Sequence, residues 1–337
     1  MNLLRFNYRS LLLLTTVGGL AAGCETSVDV PTPPHTPRVS LLHLMRNKLT
    51  TDTLYKRTEG WLYVGASQQI FSNERNLGRA DATVTIADQA GNIVEGFQPI
   101  TSVNSSFYDG PGYYKPVRKL RGQPGQTYTL KATVPGLEPV ESTLTMPFPT
   151  VIESASLTLR SPTPGSSSSN LTPARLTVTI QDNAATTDYY LATARLLDAQ
   201  GRHGPWRPVD LDYTSRENTI EVGRFQLSRS FTDDFDISPY ADTNVSGQRF
   251  TFTSDVVYNK EYCGDNPTGP CPVPVFMEVT VSTLTPDGYR FLLAKRRYID
   301  TNGSPFSEPA SLFSNIKSGY GIFGGVSEVT YRIPLPQ

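Results

Sequence analysis

Hydrophobic and polar residues alternate along much of the chain, and a two-residue period of this kind predicts β-strands with one buried face. In the N-terminal half the alternation is clearest at residues 83–87 (TVTIA), 128–134 (YTLKATV) and 140–146 (VESTLTM). Turn-forming residues such as GQPG at 122–125 separate these segments. Together with WLYV at 61–64, they predict an antiparallel β-sandwich over residues 39–149.

The same pattern continues beyond Pro147-Phe148-Pro149, a segment that favours a boundary between two domains. Further strand-like segments lie at residues 155–160, 174–181, 189–197, 249–258 and 273–284. We therefore expect a second, larger β domain over residues 150–337. The predicted fold class is mainly β, with two antiparallel β-sandwich-like domains in tandem. The first is Ig-like, and at most one or two short helices lie near the C-terminus.

One segment departs from the strand pattern and favours a helix. Thr285 is a suitable N-cap, Pro286 suits the first helical position, and Asp287 places an acid in the first turn. Tyr289, Leu292 and Leu293 would then share one face. The alternative is a hairpin turn at Asp287-Gly288 between two strands.

Composition narrows the classes of protein that remain. The 337 residues are 38% hydrophobic and 18% charged, with a formal net charge of -1. This balance excludes a multi-span membrane protein and a disordered acidic tail, and it argues against a nucleic-acid binder, which would carry a basic excess.

The N-terminus predicts export and a lipid anchor. Residues 1–23 carry Arg5 and Arg9 followed by a short apolar stretch, which is typical of a signal peptide and too short to span a membrane. The sequence LAAGC ending at Cys24 resembles a bacterial lipobox, in which the cysteine receives lipid. The alternative is an ordinary signal peptide beside an incidental thiol. Residues 24–38 contain four prolines and predict an extended tether.

The other two cysteines fit an exported protein. Cys263 and Cys271 bracket the turn-rich sequence GDNPTGP, and a disulfide between them is plausible in an oxidising compartment. A metal-binding pair is the alternative, but no further ligand is evident nearby in the sequence.

The C-terminal sequence PFSEPASLFSNIKSGYGIFG, residues 305–324, carries a family resemblance. With the lipobox and Phe252-Thr253-Ser254-Asp255, it resembles the domain of unknown function 4249 family, outer-membrane lipoproteins of Bacteroidota-type bacteria. The resemblance implies no assigned enzymatic activity. It also implies an accessory role in import, because such proteins are often encoded beside TonB-dependent receptors. The residues themselves favour a structural plug, with a ligand-contacting loop as the alternative.

The common catalytic motifs are absent from the sequence or incomplete in it. The sequence GYGIFG at 319–324 matches G-x-G-x-x-G, but too little chain follows it for a dinucleotide-binding unit. His35 lies in the tether, which leaves His43 and His203 as possible bases, and no G-x-S-x-G occurs. We therefore predict a protein that is not an enzyme and has no cofactor or metal-dependent reaction.

Two candidate binding regions remain. Acidic residues cluster in FTDDFDISPYAD and predict either a solvated loop or a calcium site; they are Asp233, Asp234, Asp236 and Asp242. Aromatic residues flank the turn DGPG at 109–112, namely Tyr108, Tyr113 and Tyr114, with Trp206 as a further candidate. Either they are half-buried at strand ends, or they are exposed and stack on a glycan or dock a partner.

These observations predict a non-enzymatic, lipid-anchored accessory protein of the outer membrane. It would bind a nutrient or a TonB-dependent transporter and face the periplasm or the cell surface. A structural or adhesive surface lipoprotein is one alternative. An unrecognised carboxylate-dependent hydrolase is the other.

Overall fold

The computed structural model describes residues 33–48, 60–69, 78–100, 111–162, 171–203, 209–215, 225–229, 237–243, 247–260, 273–301 and 310–336. The chain divides into one small unit, Met1–His35 with Gln69–Asn73, and one large unit, Thr36–Gln68 with Glu74–Gln337. In the small unit the Gln69 side-chain amide donates to the Pro33 carbonyl at 3.4 Å. The strands and the helix of the described ranges belong to the large unit.

The described part of the chain is built from strands and one helix, which confirms the predicted mainly β fold. The strands are β1 (Val39–Arg46), β2 (Leu62–Ala66), β3 (Thr83–Ala87), β4 (Ile93–Pro99), β5 (Tyr113–Pro116), β6 (Thr127–Thr133), β7 (Val140–Thr145), β8 (Val151–Leu159), β9 (Thr172–Gln181), β10 (Tyr189–Leu197), β11 (Asp210–Leu211), β12 (Tyr240–Ala241), β13 (Arg249–Tyr258), β14 (Phe276–Leu284) and β15 (Tyr320–Pro334). The helix is α1 (Pro286–Thr301). No helix in the described ranges has the length and hydrophobicity that a membrane-spanning segment requires.

The strands form two sheets. The larger has the order β12-β10-β14-β15-β1-β2-β5-β4-β3-β6-β7, and the smaller has the order β11-β13-β9-β8. Strand pairs between the described strands are antiparallel except for β1 and β15, which run parallel with Ser40 opposite Tyr320. The first described strand of the large unit therefore pairs with the last described one. The predicted division between residues 39–149 and 150–337 stays a prediction.

The first core lies between the small sheet and the β10-β14-β15 part of the large sheet. Leu176 and Val178 of β9 pack in one cluster with Val279 and Val281 of β14, and all four side chains are fully buried. Alternate residues of these strands point to the opposite face, as the period of two requires.

The second core forms because the large sheet turns back on itself. Leu41 of β1 and Val64 of β2 share one buried cluster with Ile86 of β3 and Leu130 of β6. Phe323 of β15 completes this cluster from the other end of the chain.

Helix α1 covers the outer face of β10, β14 and β15. The Thr285 hydroxyl accepts a hydrogen bond from the Gly288 backbone N–H at 3.3 Å, which is the predicted N-cap. Leu292 packs in a third cluster with Leu191 and Ile322. The predicted helix is confirmed, and the hairpin alternative is not.

Candidate functional site

Most of the predicted site residues lie outside the described part of the chain. The lipid attachment, the disulfide, two aromatic candidates and most of the acidic loop therefore stay predictions; these residues are Cys24, Cys263, Cys271, Tyr108, Trp206, Asp233, Asp234 and Asp236. The structure describes Tyr113, Tyr114 and Asp242.

Tyr114 is a core residue rather than a ligand-binding residue. Its side chain is 0% exposed, and burial raises the pKa of its hydroxyl. The hydroxyl donates to the Arg79 carbonyl and accepts from the Ala82 backbone N–H, both at 2.8 Å. Because Tyr114 has no surface to offer a ligand, its predicted role is corrected to one of fixing residues 79–82.

Tyr113 points to the opposite face of the sheet and joins two other aromatic residues there. Its ring centroid lies 5.1 Å from that of Tyr63, directly across the β2–β5 pair, and 6.1 Å from that of Trp61. All three side chains are half-buried, and Leu42, opposite Tyr63 on β1, is 44% exposed. We call Leu42, Trp61, Tyr63 and Tyr113 the aromatic face.

The alternation of residues in the sequence indicates part of the aromatic face. In WLYV the apolar positions Leu62 and Val64 enter the core, so Trp61 and Tyr63 must lie on the other side of β2. The sequence predicted the strand and Tyr113 separately. It did not show that β2 and β5 are neighbours.

Buried carboxylates elsewhere in the described part are balanced by cations or backbone donors. Asp255 is held by Arg175 at 2.8 Å and by Arg160 at 3.3 Å, and the Ser215 hydroxyl also donates to it. Burial alone would raise the pKa of Asp255, but the hydrogen bonds from Arg175 and Ser215 and the charge of Arg160 outweigh it and hold the pKa below its usual range.

Other buried carboxylates follow the same rule. Glu278 pairs with Arg195 at 2.6 Å and with Arg332 at 3.1 Å. Glu95 has no ion-pair partner among the described residues, but it accepts hydrogen bonds from four backbone N–H groups, those of Gly96, Val117, Arg118 and Leu120, at 2.7–3.0 Å. These carboxylates fix loops and strands.

A small cavity beside Glu95 does not provide a ligand site. It is lined by His43, Glu95, Phe97 and neighbouring residues, and it offers about 20 Å³ to water-sized molecules. That volume is enough for one water and too small for an organic ligand.

A cluster of three carboxylates departs from the rule that buried acids are balanced. Asp182 follows β9 of the small sheet, Asp188 precedes β10 of the large sheet, and Asp242 follows β12. One carboxylate oxygen from each lies within 4.8 Å of the other two. Asp182 and Asp242 are buried and Asp188 is half-buried. The loop 182–188 crosses between the sheets and places Asp182 and Asp188 beside Asp242.

Hydrogen bonds hold the three acids in place. Asp182 accepts from the Tyr190 hydroxyl and, at 2.6 Å, from the Gly247 backbone N–H. The Asp188 backbone N–H donates to Asp242 Oδ2 at 2.9 Å, and the Asp242 backbone N–H donates to the Asp188 carbonyl at 3.1 Å. Asp242 is 1% exposed, and its Oδ1 has no hydrogen-bond partner among the described residues.

The environment disfavours three free negative charges. Burial and the charge of Asp182 raise the pKa of Asp242, and burial with both neighbouring carboxylates raises that of Asp188. Sequence reasoning had singled out Asp242 but missed Asp182 and Asp188. They lie more than fifty positions upstream of Asp242, and no local pattern connects them to it.

The described part of the C-terminal block, residues 310–324, is structural. The Asn315 side chain donates to the Phe323 carbonyl and accepts from the Phe323 backbone N–H, both at 2.9 Å. Ile316 and Phe323 fill the second core, while Ile322 packs under α1. These contacts agree with the predicted structural role, and residues 305–309 of the block lie outside the described part.

A family model described as domain of unknown function (DUF4249) matches residues 46–332. The chain belongs to this family. No curated relative matches the chain. The DUF4249 match runs from the end of β1 into β15, and it includes Asp182, Asp188, Asp242 and most of the aromatic face.

The structure also gives a physical role to Phe252-Thr253-Ser254-Asp255, the other body segment on which the sequence resemblance rested. Phe252 packs in the first core, the Ser254 hydroxyl accepts from the Leu227 backbone N–H at 3.0 Å, and Asp255 joins β13 to Arg175 of β9. This sequence therefore stabilises the small sheet.

Proposed function

We propose that this DUF4249 protein is a non-enzymatic, lipid-anchored accessory protein at the outer membrane of a Bacteroidota-type bacterium. In this proposal it binds a carbohydrate nutrient through the aromatic face and presents it to a TonB-dependent transporter. The observation that carries the proposal is the placement of Trp61, Tyr63 and Tyr113 on one accessible face of the sheet.

The geometry of the aromatic face supports a ligand with flat apolar surfaces. Sugar rings present such surfaces through their C–H groups, and aromatic side chains bind them with little loss of conformational freedom, since each ring has only two side-chain torsions. Leu62, Val64 and Tyr114 anchor the same strands in the core, so the face is held by a rigid scaffold.

The N-terminal sequence supports the membrane attachment. Lipidation at Cys24 with more than one acyl chain would hold the protein firmly, because each buried methylene contributes about 0.8 kcal/mol. The Pro-rich residues 24–38 would then separate the folded body from the bilayer.

The binding proposal is tested with the full chain solubilised in detergent and screened against an array of glycans. We expect Tyr113→Ala and Trp61→Ala to weaken capture of the bound glycan by tenfold or more, which corresponds to about 1.4 kcal/mol. Tyr298→Ala is the matched control, since Tyr298 is 40% exposed on α1. Equal binding by all variants would contradict the use of the aromatic face.

The anchor and the partner are tested separately. Cys24→Ala should release the protein from the membrane fraction and abolish incorporation of labelled palmitate, and retention of both would refute lipidation. Co-purification of a TonB-dependent receptor with the wild-type chain would support the accessory role. Loss of the anchor without loss of glycan capture would show that the two functions are independent.

A further inference from the structure

We infer that Asp182, Asp188 and Asp242 form a calcium site that ties the small sheet to the large sheet. The site is separate from the aromatic face, because β14, β15 and β1 lie between β10 and β2 in the large sheet. Nothing in the proposed glycan binding depends on it.

The negative charges of the buried acids in this cluster are not balanced by the described groups that contact them. Every buried acid outside this cluster that was described above has a guanidinium or several backbone N–H partners. Within the part of the chain that the structure describes, the hydrogen-bond partners of Asp182 and Asp242 are all uncharged. Burying negative charges without compensation is costly, so the cluster requires either a cation or a shared proton.

The Asp242 carboxylate also has an unused acceptor, and this observation does not depend on the proximity of the three acids. Asp242 is 1% exposed, and its Oδ1 has no hydrogen-bond partner in the described ranges, although Oδ2 accepts from Asp188. Buried acceptors of native proteins are almost always satisfied. A metal ion among the three carboxylates would satisfy this oxygen.

The donor set selects the kind of ion. All three groups offer hard carboxylate oxygens, and neither histidine nor cysteine belongs to the cluster. Ca²⁺ binds oxygen at about 2.3–2.6 Å, so two ligand atoms of one ion lie at most about 5 Å apart. The spacing within 4.8 Å meets this limit. The remaining ligands of a six- to eight-coordinate ion would be water and nearby carbonyl oxygens.

The hydrogen bonds already present do not compete with an ion. The Tyr190 hydroxyl donates to Oδ1 of Asp182, and the Gly247 backbone N–H donates to Oδ2. Each of these carboxylate oxygens retains a second lone pair for a metal. Thr186 donates to Asp188 Oδ2 at 2.8 Å and orients that carboxylate. The acids are therefore positioned before the ion binds.

The expected consequence is calcium-dependent stability. The acids come from the end of β9 in one sheet and from the ends of β10 and β12 in the other, so an ion bound to all three opposes separation of the sheets. Extracellular calcium modules have dissociation constants of about 0.1–1 mM. At about 10 mM calcium, preferential binding to the folded chain should raise Tm by roughly 3–6 °C.

The first test measures thermal unfolding of the full chain in detergent. Wild-type protein is compared in calcium chloride, in magnesium chloride of equal ionic strength and in chelator. We expect a Tm increase with calcium that greatly exceeds any increase with magnesium. Asp242→Asn should abolish the increase, and Asp88→Asn, which removes one charge from an exposed turn, should retain it.

The second test measures binding without relying on stability. Tb³⁺ occupies calcium sites and emits when excited through a nearby tyrosine, and the Tyr190 hydroxyl donates directly to Asp182. We expect tyrosine-sensitised emission from the wild type, its loss on adding calcium, and none from Asp242→Asn. If Asp242→Asn does not fold, Asp188→Asn serves as the second variant.

Two outcomes would overturn the inference. The first is no calcium-dependent change in Tm or emission in the wild type, which would leave a shared proton as the balance for the cluster. The second is a response that survives Asp242→Asn but is lost when Asp233, Asp234 and Asp236 are changed together to Asn. That result would place the ion in the acidic loop predicted from sequence.

Discussion

His43 shows how burial sets the chemistry of a single residue. Its Nδ1 lies 3.2 Å from the Trp61 carbonyl, and its ring packs edge-on to Phe97 and stacked on Phe323. Burial lowers its pKa from 6.5 to about 4, although the Trp61 carbonyl and the charge of Glu95 act in the opposite direction. His43 is therefore a neutral core residue, which argues against its use as a general base near neutral pH.

This burial predicts an acid-sensitive contribution to stability. Because the folded-state pKa lies below 6.5, the unfolded chain binds the proton more readily, and stability falls as the pH drops from about 6.5 toward about 4. Between about pH 7 and pH 4.5 we expect wild type to lose on the order of 2–3 kcal/mol more than His43→Phe. Chemical denaturation at both pH values measures the difference.

The control for this prediction is His35→Phe, which changes an imidazole in the predicted tether. His35 lies outside the three buried clusters, so this variant controls for the loss of an imidazole that belongs to no described core. If His43→Phe loses as much stability as wild type on acidification, another group carries the effect.

At the scale of elements, the parallel pair of β1 and β15 depends on a close backbone approach at Gly321. A Cβ at this position would lie 1.8 Å from the Leu41 carbonyl oxygen, and the residue has φ +113°. Both constraints exclude a side chain, so the glycine of the GYG sequence is required by the pairing itself.

A matched pair of variants separates these two constraints. Gly91 also has a positive φ, +86°, but nothing lies within 4 Å of its would-be Cβ. Gly91→Ala should therefore cost about 1 kcal/mol, from backbone strain alone. Gly321→Ala should cost more than about 3 kcal/mol, since the β1–β15 pair must shift. Equal costs in chemical denaturation would mean that the close approach contributes nothing.

The elements that could be predicted are those with a local signal. The alternation at 83–87 coincides with β3 (Thr83–Ala87), that at 189–197 coincides with β10 (Tyr189–Leu197), and the cap at Thr285 begins α1. The parallel β1–β15 pair had no such signal, because its strands lie at opposite ends of the sequence. Hydrophobic alternation shows which face of a strand is buried, but not which strand lies beside it.

The sequence also does not show which side chains of the candidate sites lie together in space. Tyr113 and Tyr114 are adjacent in sequence, yet strand geometry sends one to the aromatic face and the other into the core. The three carboxylates come from two connections in different parts of the chain and meet only because the two sheets pack together. Spacing along the sequence carried no information about either arrangement.

At the scale of the whole molecule, β15 links the packed regions of the large unit. Phe323 belongs to the second core, Ile333 to the first, and Ile322 to the cluster under α1. Further contacts join the same strand to N-terminal segments. Arg46 pairs with Glu328 at 2.6 Å, and the Ser327 hydroxyl donates to the Pro147 carbonyl at 2.6 Å.

This arrangement predicts that residues 39–149 do not fold without the rest of the chain. A chain ending at residue 149 would lose Ile316 and Phe323 from the second core, each contributing about 1.5–3 kcal/mol, together with the strand that pairs with β1. Since domains are stable by only about 5–15 kcal/mol, we expect this fragment to be unfolded by circular dichroism and rapidly digested by protease.

The full chain supplies the complementary measurement. We expect the strands of both cores to unfold in one calorimetric transition, because β15 cannot leave one core without disrupting the other. Two separate transitions, together with a folded 39–149 fragment, would instead support the predicted tandem domains. The Arg46→Met variant sharpens the comparison, because it breaks the ion pair with Glu328 and should destabilise a single cooperative unit as a whole.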